Sequence, residues 1–265
     1  MDLLPFPIVS QGELDHLGPV GLRDKLAGPP QAALAWLGAA AAGGTLAAQA
    51  LLGQWFLEGR GVARDEARAF AWFKHAAHAG HAGAANLAGR CYENGWGTAA
   101  DETAAAHWYT VAAERGSDWG MYNLATSLAL GRGLATDLPA AFAWFRKAAD
   151  LGHAKSLNIV GGFYEDGWEV SADARIAADY YRRAAEAGDF RGQFNYARVL
   201  ALAGEHAGAA AWIARAPGTA TSAFIEKMLE YLRLAPQPEL RRLHGVAQTA
   251  AMNCRNAMPC ARQTV

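Results

Sequence analysis

Apolar residues in this chain come in two alternating kinds of run. One mixes small and large side chains at helical spacing, as in Ala47 to Leu57 with Ala48, Leu52, Gly53 and Phe56. The other carries an aromatic cluster and an alanine pair, as in Phe70, Trp72, Phe73 and Ala76-Ala77. Spacings of three and four residues put such positions on one helix face. Between the runs lie glycines and charged residues. The alternation predicts paired helices, and it has a fixed register of 36 residues from 45 to 188. Gly80, Gly116, Gly152 and Gly188 fall in one column, and Asp65, Asp101, Asp137 and Asp173 in another. Gly59, Gly95, Gly131 and Gly167 make a third, and Trp72, Trp108, Trp144 and Tyr180 a fourth. A period of this length means stacked helix-turn-helix units, each burying its apolar face against its neighbours. The expected fold is all-α, a right-handed α/α solenoid.

Each unit has the same internal order. Its first helix carries small residues at Ala48, Ala84, Gly120, Ser156 and Gly192, and again at Gly53, Gly89, Ala125, Gly161 and Ala197. Small side chains there let neighbouring helices approach, and branched ones would overpack. A G-x-G such as Gly59-Arg60-Gly61 ends that helix with residues able to take positive φ. The aspartate column then stands where a carboxylate caps the second helix.

The register also sets the boundaries. Residues 1–30 are expected to be an irregular lead and a capping helix from Gln11 to about Ala27, ended by Gly28-Pro29-Pro30. Residues 31–217 form the solenoid: a half repeat, four good repeats and a degenerate one. Trp212 follows Trp144 by 68 residues, four short of two periods. Two capping helices lacking both columns fill 218–252, and 253–265 is expected to be a flexible tail.

Composition removes several function classes. The net charge is −1 and no basic stripe runs through the repeats, so nucleic acid is not an expected partner. The stretch between Lys25 and Glu58 has no charge, but Gln31, Gln49, Gln54 and Gly43-Gly44 interrupt it. Trp36, Ala40, Ala41 and Gly44 there fit the 36-residue register, so it reads as a degenerate repeat, not a membrane span. Three cysteines are too few for a disulfide framework, although Cys254 and Cys260 lie close enough in sequence to pair. The start Met1-Asp2-Leu3-Leu4-Pro5 lacks a basic region and a clear apolar run. A reducing, cytoplasmic setting is expected, and the alanine-rich composition suits a bacterial protein.

The unit at 48–80 reads Ala48…Leu52-Gly53…Phe56…Gly59-Arg60-Gly61-Val62…Asp65…Ala69…Trp72-Phe73…Ala76-Ala77…Gly80. This pattern resembles the Sel1-like repeat, a relative of the tetratricopeptide repeat. Residues 84–116 and 120–152 fit well, whereas 156–188 departs at Glu169, where the second loop glycine would stand, and at Ser171-Ala172. The resemblance implies a non-enzymatic adaptor whose superhelix holds another protein. By analogy with tetratricopeptide units, the residues two before and one after the Leu-Gly column face the groove, joined by a series three positions before the first, Gly83, Trp119, Lys155 and Arg191. The candidate partner-binding residues are therefore Asn86, Arg90, Trp119, Tyr122, Asn158, Phe194 and Arg198. Aromatic and arginine side chains make the usual hot spots, and arginine forks suit a partner with an acidic group. Trp96 and Trp168, on loops two repeats apart, form a second candidate surface.

Other chemistry is weakly signalled. The G-x-G turns follow helices, where a phosphate loop needs a preceding strand. His75, His78 and His81 are spaced like ligands, but Gly80 should end the helix before His81. No metal, cofactor or catalytic residue is expected. Two other roles stay open: an immunity or inhibitor protein that neutralises a toxin, and a hydrolase-type enzyme with residues converging from distant positions.

Overall fold

The computed structural model describes residues 11–257, and every regular element among them is helical. In chain order they are α1 (Gln11–Leu26), α2 (Pro30–Ala42), α3 (Leu46–Glu58), α4 (Glu66–His78), α5 (Ala82–Asn94), α6 (Glu102–Glu114) and α7 (Asp118–Leu130). There follow α8 (Leu138–Asp150), α9 (Ala154–Asp166), α10 (Ala174–Glu186), α11 (Phe190–Leu202) and α12 (His206–Arg215). A 3-10 turn (Ala216–Gly218), α13 (Ser222–Leu234) and α14 (Pro238–Ala257) complete the chain. The helices of the regular repeats are each 13 residues long. This is the all-α helix-turn-helix architecture of a repeat solenoid.

Local chemistry accounts for that regularity. The first helix of each repeat stops at Gly59, Gly95, Gly131 or Gly167, all left-handed with φ between 69° and 74°. The aspartates do cap the second helices: Asp65 accepts from Arg68 N–H at 2.9 Å, Asp101 from Ala104 at 3.0 Å and Asp137 from Ala140 at 2.9 Å. Asp173 accepts from both Arg175 and Ile176. A further cap column precedes the first helices and was not read from the sequence. His81 Nδ1 accepts from Ala84 N–H, Ser117 from Gly120, and Asp189 from Gly192. His153 stands at the same place, its Nδ1 within 2.9 Å of the Ser156 hydroxyl. The imidazole of His81 thus has a structural use in place of a metal ligand's.

The chain divides into two compact units, one ending at Ala141 and one beginning at Phe142, with the division inside α8. In the first, each helix from α1 to α7 packs on the next, and first helices also stack directly, α5 on α7. Phe73 is fully buried against Gly53, where an added Cβ would lie 2.7 Å from the ring. Tyr109 against Gly89 repeats the arrangement. The second loop glycine has a different task. A Cβ on Gly97 would overlap the main chain of Glu66 at the start of α4, and one on Gly133 that of Glu102 at the start of α6. The loop of one repeat thereby seats on the second helix of the repeat before it.

In the second unit, α9, α10, α11 and α12 pack in sequence, α9 also stacks on α11, and α14 closes on α12 and α13. Its core joins Ala197, Leu200 and Ile213 to Met228, Leu232, Leu240 and Leu243. The last helix reaches Ala257, so residues 253–257 are helical where a flexible tail was expected; from Val246 to Ala257 no Gly or Pro interrupts it. The Arg241 guanidinium donates to the carbonyls of Ala235 and Pro236 just past α13. Cys254 is a free thiol in α14, whereas Cys260 and Arg262 lie outside the described residues.

Glu169 occupies the place of the second loop glycine and still adopts φ 57°, the one positive φ at a non-glycine residue among those described. The left-handed conformation costs an L-residue about 1–2 kcal/mol, partly offset by the greater unfolded-state freedom of glycine. Glu169→Gly is therefore expected to raise stability by about 0.5–1 kcal/mol in urea unfolding, and no gain would mean that the turn relaxes.

Candidate functional site

The first helices carry the candidate residues, and the structure treats them unequally. Asn86 on α5 is buried, and its side-chain oxygen accepts from the Asn123 amide of α7 at 2.7 Å. Asn158 on α9 accepts from Asn195 of α11 at 2.9 Å. Both bonds link stacked first helices across 37 residues. These amides are committed to holding repeats together. Neither was read as a rung of that kind from the sequence.

Arg198 on α11 is likewise engaged, donating to both oxygens of Glu165 at 2.5 and 2.7 Å with only 16% of its side chain exposed. Glu165 also accepts from the Tyr181 hydroxyl at 2.6 Å. Burial by itself would raise the Glu165 carboxyl, but the bonds from Arg198 and Tyr181 outweigh it and hold its pKa below the ordinary value. Burial and the bond to Glu165 push Tyr181 upward, so it remains a donor. A depressed folded-state pKa contributes stability above the ordinary carboxylate range, lost as pH falls through the folded value. The destabilisation caused by Glu165→Gln should thus be largest near neutral pH and shrink below about pH 4. An equal penalty in urea melts at both ends would dismiss the network's contribution.

Tyr109 and Glu93 repeat the Tyr181–Glu165 bond at 2.7 Å in the first unit, 72 residues earlier. The sequence does carry a signal for this doubling: Tyr92-Glu93-Asn94-Gly95-Trp96 matches Tyr164-Glu165-Asp166-Gly167-Trp168 at twice the basic period. The partner arginines differ. Arg132 stands 3.8 Å from Glu93. Arg90 is exposed and lies over the Trp96 ring, 5.2 Å from its centroid. Trp168, without such a cover from its own helix because Gly162 replaces Arg90, is 61% exposed and meets Phe163 edge-on.

Trp119 and Tyr122 form an aromatic pair on α7, edge to face with centroids 6.1 Å apart. Trp119 keeps 46% of its surface exposed although it is among the largest apolar side chains. Phe194 is placed otherwise. Its ring lies between Phe224 and Tyr231 of α13, so this helix covers the face on which it stands.

The other shifted groups have structural explanations. Burial pushes the Cys91 thiol up to about 12, far from a nucleophile's range. Burial also raises Asp189 despite the N–H of Gly192 that it caps. His78 packs edge-on against Trp108, and among the described residues no three His, Cys, Asp or Glu side chains are placed to hold a metal ion. A shallow apolar recess of about 400 Å³ between α12 and α14, lined by Ala214, Val246 and Ala250, contains no reactive side chain. No described helix is long and apolar enough to cross a membrane.

Comparison with known proteins follows the architecture. The Sel1 repeat model matches residues 46–81, 82–117, 120–153 and 154–189. No curated protein matches the chain. Among solved structures, a Sel1 repeat protein from Oxalobacter formigenes is 26% identical with a TM-score of 0.73, covering 89% of this chain and all of that one. A protective antigen of uropathogenic Escherichia coli with an SLR fold is 27% identical with a TM-score of 0.65; the match covers 83% of this chain and 49% of the antigen, about half its length. An immunity protein from Pseudomonas aeruginosa shares the fold at 15% identity and a TM-score of 0.50, over 79% of this chain and 81% of that one. With four consecutive repeat matches spanning more than half of its residues, this chain belongs to the Sel1 repeat family.

Proposed function

We propose that the chain is a non-enzymatic protein-binding solenoid whose contact with its partner centres on Trp119 and Tyr122. The exposure of Trp119 beside a second ring carries this reading. A large aromatic surface left partly in water gains most when a partner covers it, and such residues dominate binding energies. Of the two arginines considered for an acidic group, Arg198 already holds a carboxylate, so Arg90 is the one offered to a partner. The asparagines serve the scaffold.

Two roles fit a protein binder, and the immunity or inhibitor role is the one favoured over a general adaptor. It carries over the printed role of the Pseudomonas aeruginosa protein, whose fold this chain shares. A neutralising protein needs a rigid surface and no catalytic group of its own. The test uses tagged full-length chain beside Trp119→Ala/Tyr122→Ala, with helicity checked by circular dichroism. Binding of the partner should weaken by about 2 kcal/mol or more, roughly thirty-fold. Unchanged affinity in the folded variant would remove these two residues from the site. Expression beside a neighbouring toxic gene product then separates the roles: rescued growth marks an inhibitor, and binding without rescue marks an adaptor.

A further inference from the structure

Two loops set 72 residues apart share a backbone frame and differ in what they offer to solvent. Gly95 and Gly167 end α5 and α9 with φ 73° and 74°. The N–H of Trp96 then donates to the Cys91 carbonyl at 2.9 Å, and that of Trp168 to the Phe163 carbonyl at 3.0 Å. The two tryptophans thus start from equivalent positions, but their rings end differently. Trp96 packs against the core that contains Cys91 and lies under the Arg90 guanidinium. In the second loop Phe163 stands in place of Cys91 and Gly162 in place of Arg90. The buried Phe163 takes up space that a cysteine leaves, and Trp168 meets it edge-on at 6.1 Å while staying 61% exposed. Elsewhere the chain covers its indoles with its own cations: Arg60, Lys147 and Arg215 lie over Trp55, Trp144 and Trp212 at 4.0–4.5 Å. Among the described residues no cation lies over Trp168.

The same loop carries uncompensated charge. Asp166 and Glu169 are exposed and stand two residues before and one after Trp168, so their Cα atoms lie within about 8 Å of its own. The first loop has Asn94 and Gly97 at those places. Glu165 is held by Arg198 and Tyr181, and Asp173 caps α10. Asp166 and Glu169 have no ion-pair partner among the described residues. Glu169 moreover keeps its carboxylate at φ 57°, and strain of that kind collects at binding sites. A bare indole between two such carboxylates attracts a planar cation. A guanidinium stacks its face on the ring while its edge donates to a carboxylate, a combination an ammonium does not offer. We infer that Asp166, Trp168 and Glu169 form a docking site for an arginine side chain on a basic segment of a partner protein. The site goes beyond the contact at Trp119 and Tyr122: it belongs to the second unit, and it takes the charge opposite to the one suited to Arg90.

The probe is an acetylated, amidated peptide alternating arginine and glycine, beside the same peptide with citrulline, the neutral isostere of arginine. In the full-length chain isotope-labelled at its tryptophans, the indole N–H signal of Trp168 is identified by its loss in Trp168→Phe. The arginine peptide should shift that signal saturably, and the citrulline peptide should leave it in place. With fluorescein on the peptide and anisotropy as readout, Trp168→Ala should weaken binding about five-fold. Asp166→Asn and Glu169→Gly should each weaken it by about two- to five-fold. These two replacements introduce the residues that the first loop holds at the same places, which keeps the fold. Glu169→Gly should therefore bind more weakly while unfolding at higher urea. An unmoved Trp168 signal, equal affinity for the citrulline peptide, or affinity indifferent to the three substitutions would overturn the inference. So would a Trp168 signal that moves with chain concentration before any peptide is added, since a second copy would then cover the ring.

Discussion

Phe73→Ala should cost about 3–5 kcal/mol, read as the loss of unfolding free energy in urea. The side chain is fully buried on α4, its ring lying over Gly53 of α3. Alanine leaves a void that the surroundings cannot close. The helices are already held by loop and cap bonds, such as Asp65 N–H to Phe56 C=O at 2.8 Å, which fix how α4 leaves α3. Because a repeat is stabilised through its neighbours, the loss should also weaken the interfaces of α4 with α3 and α5. Phe70→Ala provides the comparison. Phe70 is only half-buried, edge-on to Tyr92 at 5.0 Å, and its removal should cost distinctly less. Equal costs would mean that the Gly53–Phe73 contact is not the tight one.

Gly97→Ala should cost about 2–4 kcal/mol, because two penalties coincide. The residue has φ +69°, which an L-residue adopts at about 1–2 kcal/mol. Its Cβ would also overlap the main chain of Glu66, and backbone at a helix start yields less readily than the end of a flexible side chain. Gly95→Ala separates the two. Gly95 has φ +73°, but the nearest atom to its added Cβ is 3.6 Å away, an ordinary contact. It should show the conformational penalty alone. The difference between the variants measures how much seating a loop on the preceding repeat contributes. If both cost the same, the loop does not seat as described.

The local grammar of the fold was legible because it depends on residues close in sequence. Glycines at 59, 95, 131 and 167 break helices through their own backbone freedom, and aspartates at 65, 101, 137 and 173 cap N–H groups two or three residues away. Recurrence multiplies such weak local signals into a strong one. The first-helix caps at 81, 117, 153 and 189 escaped notice because four positions use three residue types, histidine, serine and aspartate. Their shared trait is an acceptor atom near the backbone, which identity-based columns do not show.

The sequence by itself determined the helix pairing, the 36-residue register, the turn residues and the second-helix caps, and it set Asn86, Arg90, Trp119, Tyr122, Asn158, Phe194 and Arg198 at recurring register positions of the first helices. Only the tertiary structure decided what those side chains meet there. Register assigns a residue to a face, but a polar head or a ring on that face chooses among partners 33 to 37 residues distant, as Arg198 does with Glu165 and Asn86 with Asn123. The covering of Phe194 by α13 lay further still from the pattern, since α13 repeats nothing before it. Non-periodic helices pack by shape and apolar area, and those quantities exist only once the chain has folded.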